Sequence, residues 1–284
     1  MHIQWQHRSY RWKDGKELEL GETPLVMGIL NVTPDSFSDG GQWNTEEKAL
    51  PHVKDMIKQG AALIDVGAES TRPGHVELTA EEETRRLMQF LPQVIAQSSV
   101  PVSVDSYHYE TMEKALQAEA HIVNDIWGFQ YDDGSMARVS AAFDVPVILM
   151  HNQNGTAYTE DIIESMKHFF DRSMEIALKA GVKEEQIILD PGIGFGKTGE
   201  QNMQVLARLD ELTQAFSCPW LLGVSRKRFI GTALGLPNAE DRDEGTAAVN
   251  LWGADRGCTI FRVHNVSVTA RSLKMWKELR NRVL

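Results

Sequence analysis

The chain has 284 residues, a formal net charge of −11 and a hydrophobic content of 42%. That composition excludes an intrinsically disordered chain, and the negative balance argues against a general nucleic-acid or membrane-surface role while leaving room for one anion-binding pocket. Two cysteines, Cys218 and Cys258, are too few for a disulfide framework or a cysteine zinc site and read as buried free thiols. The polar N-terminus, Met1 to Arg8, is not a secretory signal, and no apolar run reaches about 18 residues, so a cytoplasmic protein is expected. Along the chain, Asp14-Gly15 lies between β-prone segments, and residues 1–22 are predicted to form a hairpin covering the bottom of the fold. An apolar run at Leu25–Leu30 precedes a helical pattern over Glu46–Gln59. Leu63–Val66 precedes a helix opening at Thr79, where Thr79-Ala80-Glu81-Glu82 has the form of a capping box. Val100–Val104 is followed by a helix over Tyr107–Ala118, then by further runs at His121–Val123 and Val145–Met150 and a helix over Ile162–Ala180. The last units are Gln186–Leu189 with Asn202–Phe216, Trp220–Val224 with Glu244–Ala254, and Cys258–Val263 with Val268–Val283. This strand-then-helix alternation predicts one (β/α)8 TIM barrel domain over residues 1–284; a doubly wound sheet also alternates but suits eight units less well.

In a barrel the strand C-termini converge on one face, where catalytic residues collect. Here nearly every apolar run ends in a polar residue: Asn31, Asp65, Asp105, Asn124, His151, Asp190, Ser225 with Lys227, and Arg262 with His264. A single strand-end Asp or Asn is most simply a helix cap, but a nearly complete ring of complementary groups surrounds a polar ligand better than it closes loops. Arg262 and His264 precede a helix predicted to begin near Ser267, whose amides and dipole favour an anion. Ser225, with a helix predicted to start at Arg226, suits a carboxylate by the same physics. The loop after the first strand holds Asp35, Ser36, Asp39 and two glycines, a composition fitting a hard-cation site or a phosphate lid.

The stretch Asp190-Pro191-Gly192-Ile193-Gly194-Phe195-Gly196-Lys197-Thr198 contains G-x-G-x-x-G from Gly194 to Gly199. The strand-end acid expected about 20 residues later is missing, and Pro191 takes the first glycine position of the Walker pattern, so neither nucleotide motif is met. The histidines away from the strand ends and the N-terminus lack metal-ligand spacing and read as surface or capping residues.

Five stretches together resemble the dihydropteroate synthases, the pterin-binding TIM-barrel family: Met27 to Gly41, Gly60 to Gly74, Asp190 to Thr198, Leu222 to Gly231 and Phe261 to Val266. The resemblance implies condensation of 6-hydroxymethyl-7,8-dihydropterin pyrophosphate with p-aminobenzoate, giving 7,8-dihydropteroate and pyrophosphate, with Mg²⁺ as cofactor. It places the pterin between Asp190 and Asn124 on its donor edge and Lys227 on its acceptor edge. Asp105, Gly223 and Arg262 stand beside it, with Ile126, Met150 and Phe195 as apolar walls. It assigns catalytic roles to Asp105, Lys227, Asp35 and Asp39, the pyrophosphate to Asn31, Arg72, Arg262 and His264, and the metal to Asn31. It gives p-aminobenzoate to Thr71, Arg72, Pro73, Phe195 and Ser225, and implies a homodimer formed through helices on one side of the barrel. A pterin-dependent methyltransferase barrel would share the strand-end Asp and Asn but has no reason to keep Asp35/Asp39 or Arg262/His264. A non-catalytic pterin-binding paralogue would have been favoured by loss of Asn31, Lys227 or Arg262, and all three are present.

Overall fold

Eight parallel strands close into a barrel in the computed structural model, which describes residues 5–31, 46–68 and 78–282. The chain opens with a hairpin of β1 (Arg8–Arg11) and β2 (Glu17–Leu20), then supplies β3 (Leu25–Asn31), β4 (Ala61–Gly67), β5 (Val102–Asp105) and β6 (Ile122–Asp125). The barrel is completed by β7 (Val147–Met150), β8 (Ile187–Asp190), β9 (Trp220–Leu222) and β10 (Cys258–Val263), and β10 pairs back onto β3. Side chains alternate between the two faces of each strand. Val26, Leu30, Ile64, Val66, Val102, Val104, Val147, Leu149, Phe261 and Val263 face outward into the layer shared with the helices. Met27, Leu63, Ile122, Ile148, Ile188, Leu221 and Ile260 face inward and form a separate apolar layer inside the barrel.

The hairpin closes the lower end of that inner layer. Leu18 and Leu20, each 3% exposed, insert into it, and Tyr10 and Trp12 pack at its edge. Burying each leucine is worth about 1.5–3 kcal/mol. Polar contacts fix the docking: Trp12 Nε1 donates to the His121 carbonyl at 3.1 Å, and the Tyr10 hydroxyl donates to the Glu185 carbonyl at 2.8 Å. His121 was expected to be a surface or capping residue, but it is buried. Its Nδ1 accepts from Val102 N–H at 3.1 Å, so its Nε2 carries the proton shared with Asp14 at 3.0 Å.

The helices between barrel strands are α1 (Glu46–Lys58), α2 (Ala80–Met88), α3 (Leu91–Gln97), α4 (Tyr109–Gln117), α5 (Ser135–Phe143) and α6 (Ile162–Ala180). They continue with α7 (Gly199–Ala207), α8 (Leu209–Thr213), α9 (Arg228–Leu234), α10 (Asp243–Ala254) and α11 (Val266–Arg280). The helix predicted over Asn202–Phe216 is two, broken at Arg208, whose guanidinium turns to Asp161 at 2.6 Å and Glu211 at 2.7 Å. The capping box at Thr79 is only half made. Thr79 accepts from Glu82 N–H at 3.3 Å, but the Glu82 carboxylate turns to Arg85 at 2.8 Å and Arg86 at 2.6 Å. Both cysteines are buried and free, as expected.

Candidate functional site

Two residues beyond the apolar inner layer, the inward positions become polar. Leu63 is followed by Asp65, Ile122 by Asn124, Ile188 by Asp190, Leu221 by Gly223 and Ile260 by Arg262. The strand period that buries the first set therefore stacks the second set above it, at the strand C-terminal face. At its centre Arg262 donates from Nε to Asp65 at 2.6 Å and from Nη2 to Asp105 at 2.7 Å. Burial opposes the charge on this guanidinium, but Asp65 and Asp105 outweigh it and hold Arg262 protonated. Asp65 is completely buried and also accepts from the Ser103 hydroxyl at 2.5 Å and from Asn124 Nδ2 at 3.3 Å. Burial pushes the Asp105 carboxyl up to about 7; Arg262 pulls it down, and the nearby charges of Asp65, Glu83 and Asp125 push the same way as burial. Asp125 faces outward and secures the loop after β6, accepting from Trp127 N–H at 2.9 Å and Phe129 N–H at 2.7 Å.

The β8 loop folds back over the ring. Asp190 Oδ1 accepts from Gly192 N–H at 2.8 Å, which leaves Oδ2 directed past Gly223, where an added Cβ would lie 3.7 Å from it. Burial raises the Asp190 carboxyl, with Lys227 opposing. Lys227 donates to the Ile193 carbonyl and sits 4.7 Å over the Phe195 ring, and burial lowers its ammonium to about 8 against the pull of Asp190. Tyr107, Ile126 and Met150 form a buried apolar wall, with Trp127 and Phe195 packed against it. A slot with carboxylates and an amide at one edge, an ammonium at the other and flat apolar walls suits a planar heterocycle carrying both donors and acceptors.

Two expectations change. His151 follows β7 but does not join the ring. It is 2% exposed, lies 4.7 Å from the Phe169 ring, and meets Lys197 Nζ at 2.8 Å. Lys197 also donates to the Gly192 and Phe195 carbonyls at 3.0 and 3.1 Å, bracing the β8 loop from behind, and burial lowers its ammonium to about 7. The helix near Ser225 begins at Arg228 rather than Arg226, because Arg226 has φ +59° and turns its guanidinium to Asp243 at 2.7 Å. Ser225 therefore gains nothing from helix amides; its hydroxyl meets His264 Nδ1 at 2.8 Å and accepts from His264 N–H at 3.1 Å. The last helix begins at Val266, with Asn265 capping it through Val268 N–H at 3.2 Å.

Asn31 ends β3 at the mouth. Its Oδ1 and Asp105 Oδ2 lie 3.8 and 3.9 Å from the point a Cβ on Gly67 would take, so the glycine leaves a small cradle between two oxygen donors. Among the described residues no cluster of three His, Cys, Asp or Glu side chains could hold a metal. One or two protein oxygens suffice for a hard cation that takes its remaining ligands from water and phosphate, so this donor set fits Mg²⁺. Asp35, Asp39, Thr71, Arg72 and Pro73 lie outside the described residues. The structure thus brings together Asn31, Asp105, Asn124, Ile126, Met150, Asp190, Phe195, Gly223, Lys227 and Arg262 at one mouth, with Ser225 and His264 paired on the adjoining loops. Sequence reasoning gave Asp65 a place in the ring without a role, and gave Lys197 none. The alternation Leu63, Asp65 was the available signal for the first, while only tertiary packing reveals the second.

The sequence model for "Pterin binding enzyme" matches residues 27–264. A dihydropteroate synthase of Clostridium beijerinckii (strain ATCC 51743 / NCIMB 8052) is 47% identical over 264 residues, covering 92% of this chain and 96% of that protein. A crystal structure of dihydropteroate synthase from Clostridium difficile, determined in the presence of pteroic acid, superposes with a TM-score of 0.87 at 46% identity, over 92% of this chain and 98% of that one. The enzyme from Xanthomonas albilineans in complex with 7,8-dihydropteroate superposes with a TM-score of 0.83 at 34% identity, over 94% and 96% of the two chains.

Proposed function

We propose, for a chain that belongs to the pterin-binding enzymes and within them to the dihydropteroate synthases, that the polar ring at the barrel mouth binds the dihydropterin and drives off its pyrophosphate. The reaction is the condensation of 6-hydroxymethyl-7,8-dihydropterin pyrophosphate with p-aminobenzoate, a transferase step of folate biosynthesis. The observation that carries the residue-level reading is the Asp65–Arg262–Asp105 bridge standing between Asn124 and the Asp190–Lys227 pair.

Asp190 Oδ2 and Asn124 Oδ1 accept from the neighbouring N–H groups of the pterin edge, and Lys227 donates to its oxygen and ring nitrogen. Ile126, Met150 and Phe195 hold the ring flat, and Gly223 leaves room beside Asp190. The carbon–oxygen bond to pyrophosphate lengthens and positive charge grows on the methylene and ring, where the Asp105 carboxylate faces it. Preorganised charge of this kind is worth on the order of 10²–10³ in rate per group. The departing pyrophosphate is received by Arg262 and His264 with Asn31 and Arg72. The amine nitrogen of p-aminobenzoate, placed by Phe195, Ser225, Thr71, Arg72 and Pro73, then forms the new bond and releases a proton. Asn31 would hold Mg²⁺, which when bound would supply charge neutralisation for the pyrophosphate, and Asp35 and Asp39 take the catalytic roles that the family resemblance gives them.

The reading extends to one barrel domain working in the cytoplasm as a homodimer. No helix among the described residues is long and apolar enough to cross a membrane. Exposed Met203, Leu234 and Trp252 on the adjoining helices α7, α9 and α10 offer apolar surface to a second copy. The deciding assay is pyrophosphate release from the pterin substrate with and without p-aminobenzoate and Mg²⁺. Sustained release that needs both, with dihydropteroate formed, is expected; pyrophosphate released in the presence of both without dihydropteroate would refute the condensation.

A further inference from the structure

The carboxylate of Asp65 lies too deep to touch a ligand, yet it contacts both halves of the site. We propose that Asp65 is a positioning residue that dictates which way the Asn124 amide and the Arg262 guanidinium face. The inference deepens the ring reading above and rests on it.

Asp65 is 0% exposed, and both of its oxygens are fully engaged. Oδ1 accepts from the Ser103 hydroxyl at 2.5 Å and Asn124 Nδ2 at 3.3 Å, and Oδ2 accepts from Arg262 Nε at 2.6 Å and again from Asn124 Nδ2 at 3.3 Å. A carboxylate accepts and does not donate. The Asn124 nitrogen must therefore face Asp65, and the Asn124 oxygen is left as the acceptor turned to the slot. An amide is nearly symmetric in shape, so its orientation is decided only by its hydrogen-bond partners. Without a strict acceptor beneath it, Asn124 would present a donor to the pterin N–H edge as readily as an acceptor. For Arg262 the same carboxylate takes Nε while Asp105 takes Nη2, which sets the guanidinium plane and leaves Nη1 without a protein acceptor among the described residues. One buried group thus orients an acceptor for the ring and a donor for the anion.

The consequence is a specific pattern of loss and recovery. Asp65→Asn keeps the size but puts an NH₂ group against Asn124, which turns its own nitrogen toward the ligand. Asn124→Asp alone sets two carboxylates against each other. In the double variant Asp65→Asn/Asn124→Asp, Asn at 65 donates to Asp at 124 and accepts from Arg262, while the second oxygen of Asp at 124 faces the pterin. The formal charge of the wild type is restored.

Calorimetric titration of each purified variant with 6-hydroxymethylpterin, alongside its melting temperature, tests this. Each single substitution should weaken pterin binding roughly tenfold to a hundredfold, as leaving a buried polar group mispaired does. The double variant should recover most of that loss, a coupling that a merely structural role would not produce. Pterin affinity in Asp65→Asn within about twofold of wild type, or a double variant that loses the product of the two single effects, would overturn the proposal. Asn124→Ala separates this from the ring reading itself: unchanged affinity there would refute the placement of Asn124 at the pterin edge and the proposal with it. Loss in Asn124→Ala together with wild-type affinity in Asp65→Asn would refute the positioning role alone.

Discussion

Gly192→Ala should cripple the site through backbone geometry alone. Gly192 has φ +62°, and a Cβ placed there would lie 1.9 Å from the His151 carbonyl oxygen and 3.0 Å from its carbon. Carbon and oxygen normally stay about 3.3 Å apart or more, so a separation of well over 1 Å has to be opened. The His151 end cannot yield easily, because His151 N–H donates to the Asp190 carbonyl at 2.9 Å in continuation of the strand pairing. The movement falls on the loop from Pro191 to Phe195, breaking the Gly192 N–H bond that holds the Asp190 carboxylate. An alanine in the left-handed region costs about 1–2 kcal/mol, and losing a hydrogen bond to a charged group costs about 1.5–3 kcal/mol. Together they amount to roughly 3–5 kcal/mol, or on the order of 2–4 °C of melting temperature for each kcal/mol in a chain of this size. Gly15→Ala is the control: φ is +86° there, and nothing lies within 4 Å of the added Cβ, so only the backbone cost applies. Scanning calorimetry and pterin titration should find Gly192→Ala clearly less stable than Gly15→Ala and unable to bind pterin. Equal melting temperatures for the two variants, with pterin affinity retained in Gly192→Ala, would show that the loop does not hold Asp190 in the way described.

Lys227→Met should lower turnover by on the order of 10²–10³ with little effect on folding, because among the described residues the ammonium meets the Ile193 carbonyl and the Phe195 ring beside the charge of Asp190; a melting temperature that falls as steeply as activity would mark Lys227 as a structural brace. Leu20→Ala, at the opposite end of the barrel and 3% exposed, should cost about 2–5 kcal/mol in denaturant titration and leave kcat unchanged; altered kcat at unaltered stability would refute the separation of the two ends. Stability should also have an unusual pH profile. Burial raises Asp105 and Asp125 to about 7, so the folded chain keeps protons there that the unfolded chain releases near pH 4, and stability falls as pH rises through that window. Burial lowers Lys197 to about 7 and Lys227 to about 8, so above those values the unfolded chain holds the extra protons and stability rises again. Urea titrations of the ligand-free protein at about pH 5.5, 7.5 and 9 should find the minimum in the middle, with part of the alkaline rise missing from Lys197→Met; a profile unchanged by that substitution would be contrary evidence.

The barrel was legible because its strands leave two periodic traces. Runs such as Val145–Met150 mark strands buried on both faces, and the polar residue closing each run marks the catalytic mouth. The same traces misplace residues where the run outlasts the strand's inward face. His151 follows Met150, so alternation turns it outward to Lys197 and the phenylalanines of α6, although it closes its apolar run in the sequence as Asp190 does. Asp65 was read as a strand end, but β4 continues to Gly67 and makes it an interior hub. The short helices escaped for a different reason. Helix α5 is short and follows Gly134 in a left-handed turn, its first amides taken by Asp132 and Asp133, while α9 is seven residues long and preceded by left-handed Arg226, so neither offers a long amphipathic stripe. Ser225 was placed at a helix start for lack of any sequence sign that Arg226 turns to Asp243.

The hairpin at the foot of the barrel bears on how the chain reaches this state. Leu18 and Leu20 are made early in synthesis, but the surface they enter is assembled from Met27, Leu63, Ile122, Ile148, Ile188, Leu221 and Ile260. Each strand meets its parallel neighbour across a long helical crossover, which makes the pairing slow, and the last strand lies more than two hundred residues downstream of the hairpin. The hairpin can form its own turn at once, yet its apolar face has no complete dock until β10 pairs with β3. A segment made before every barrel strand is therefore among the last to be buried, and until then the two leucines are open to solvent and to other chains.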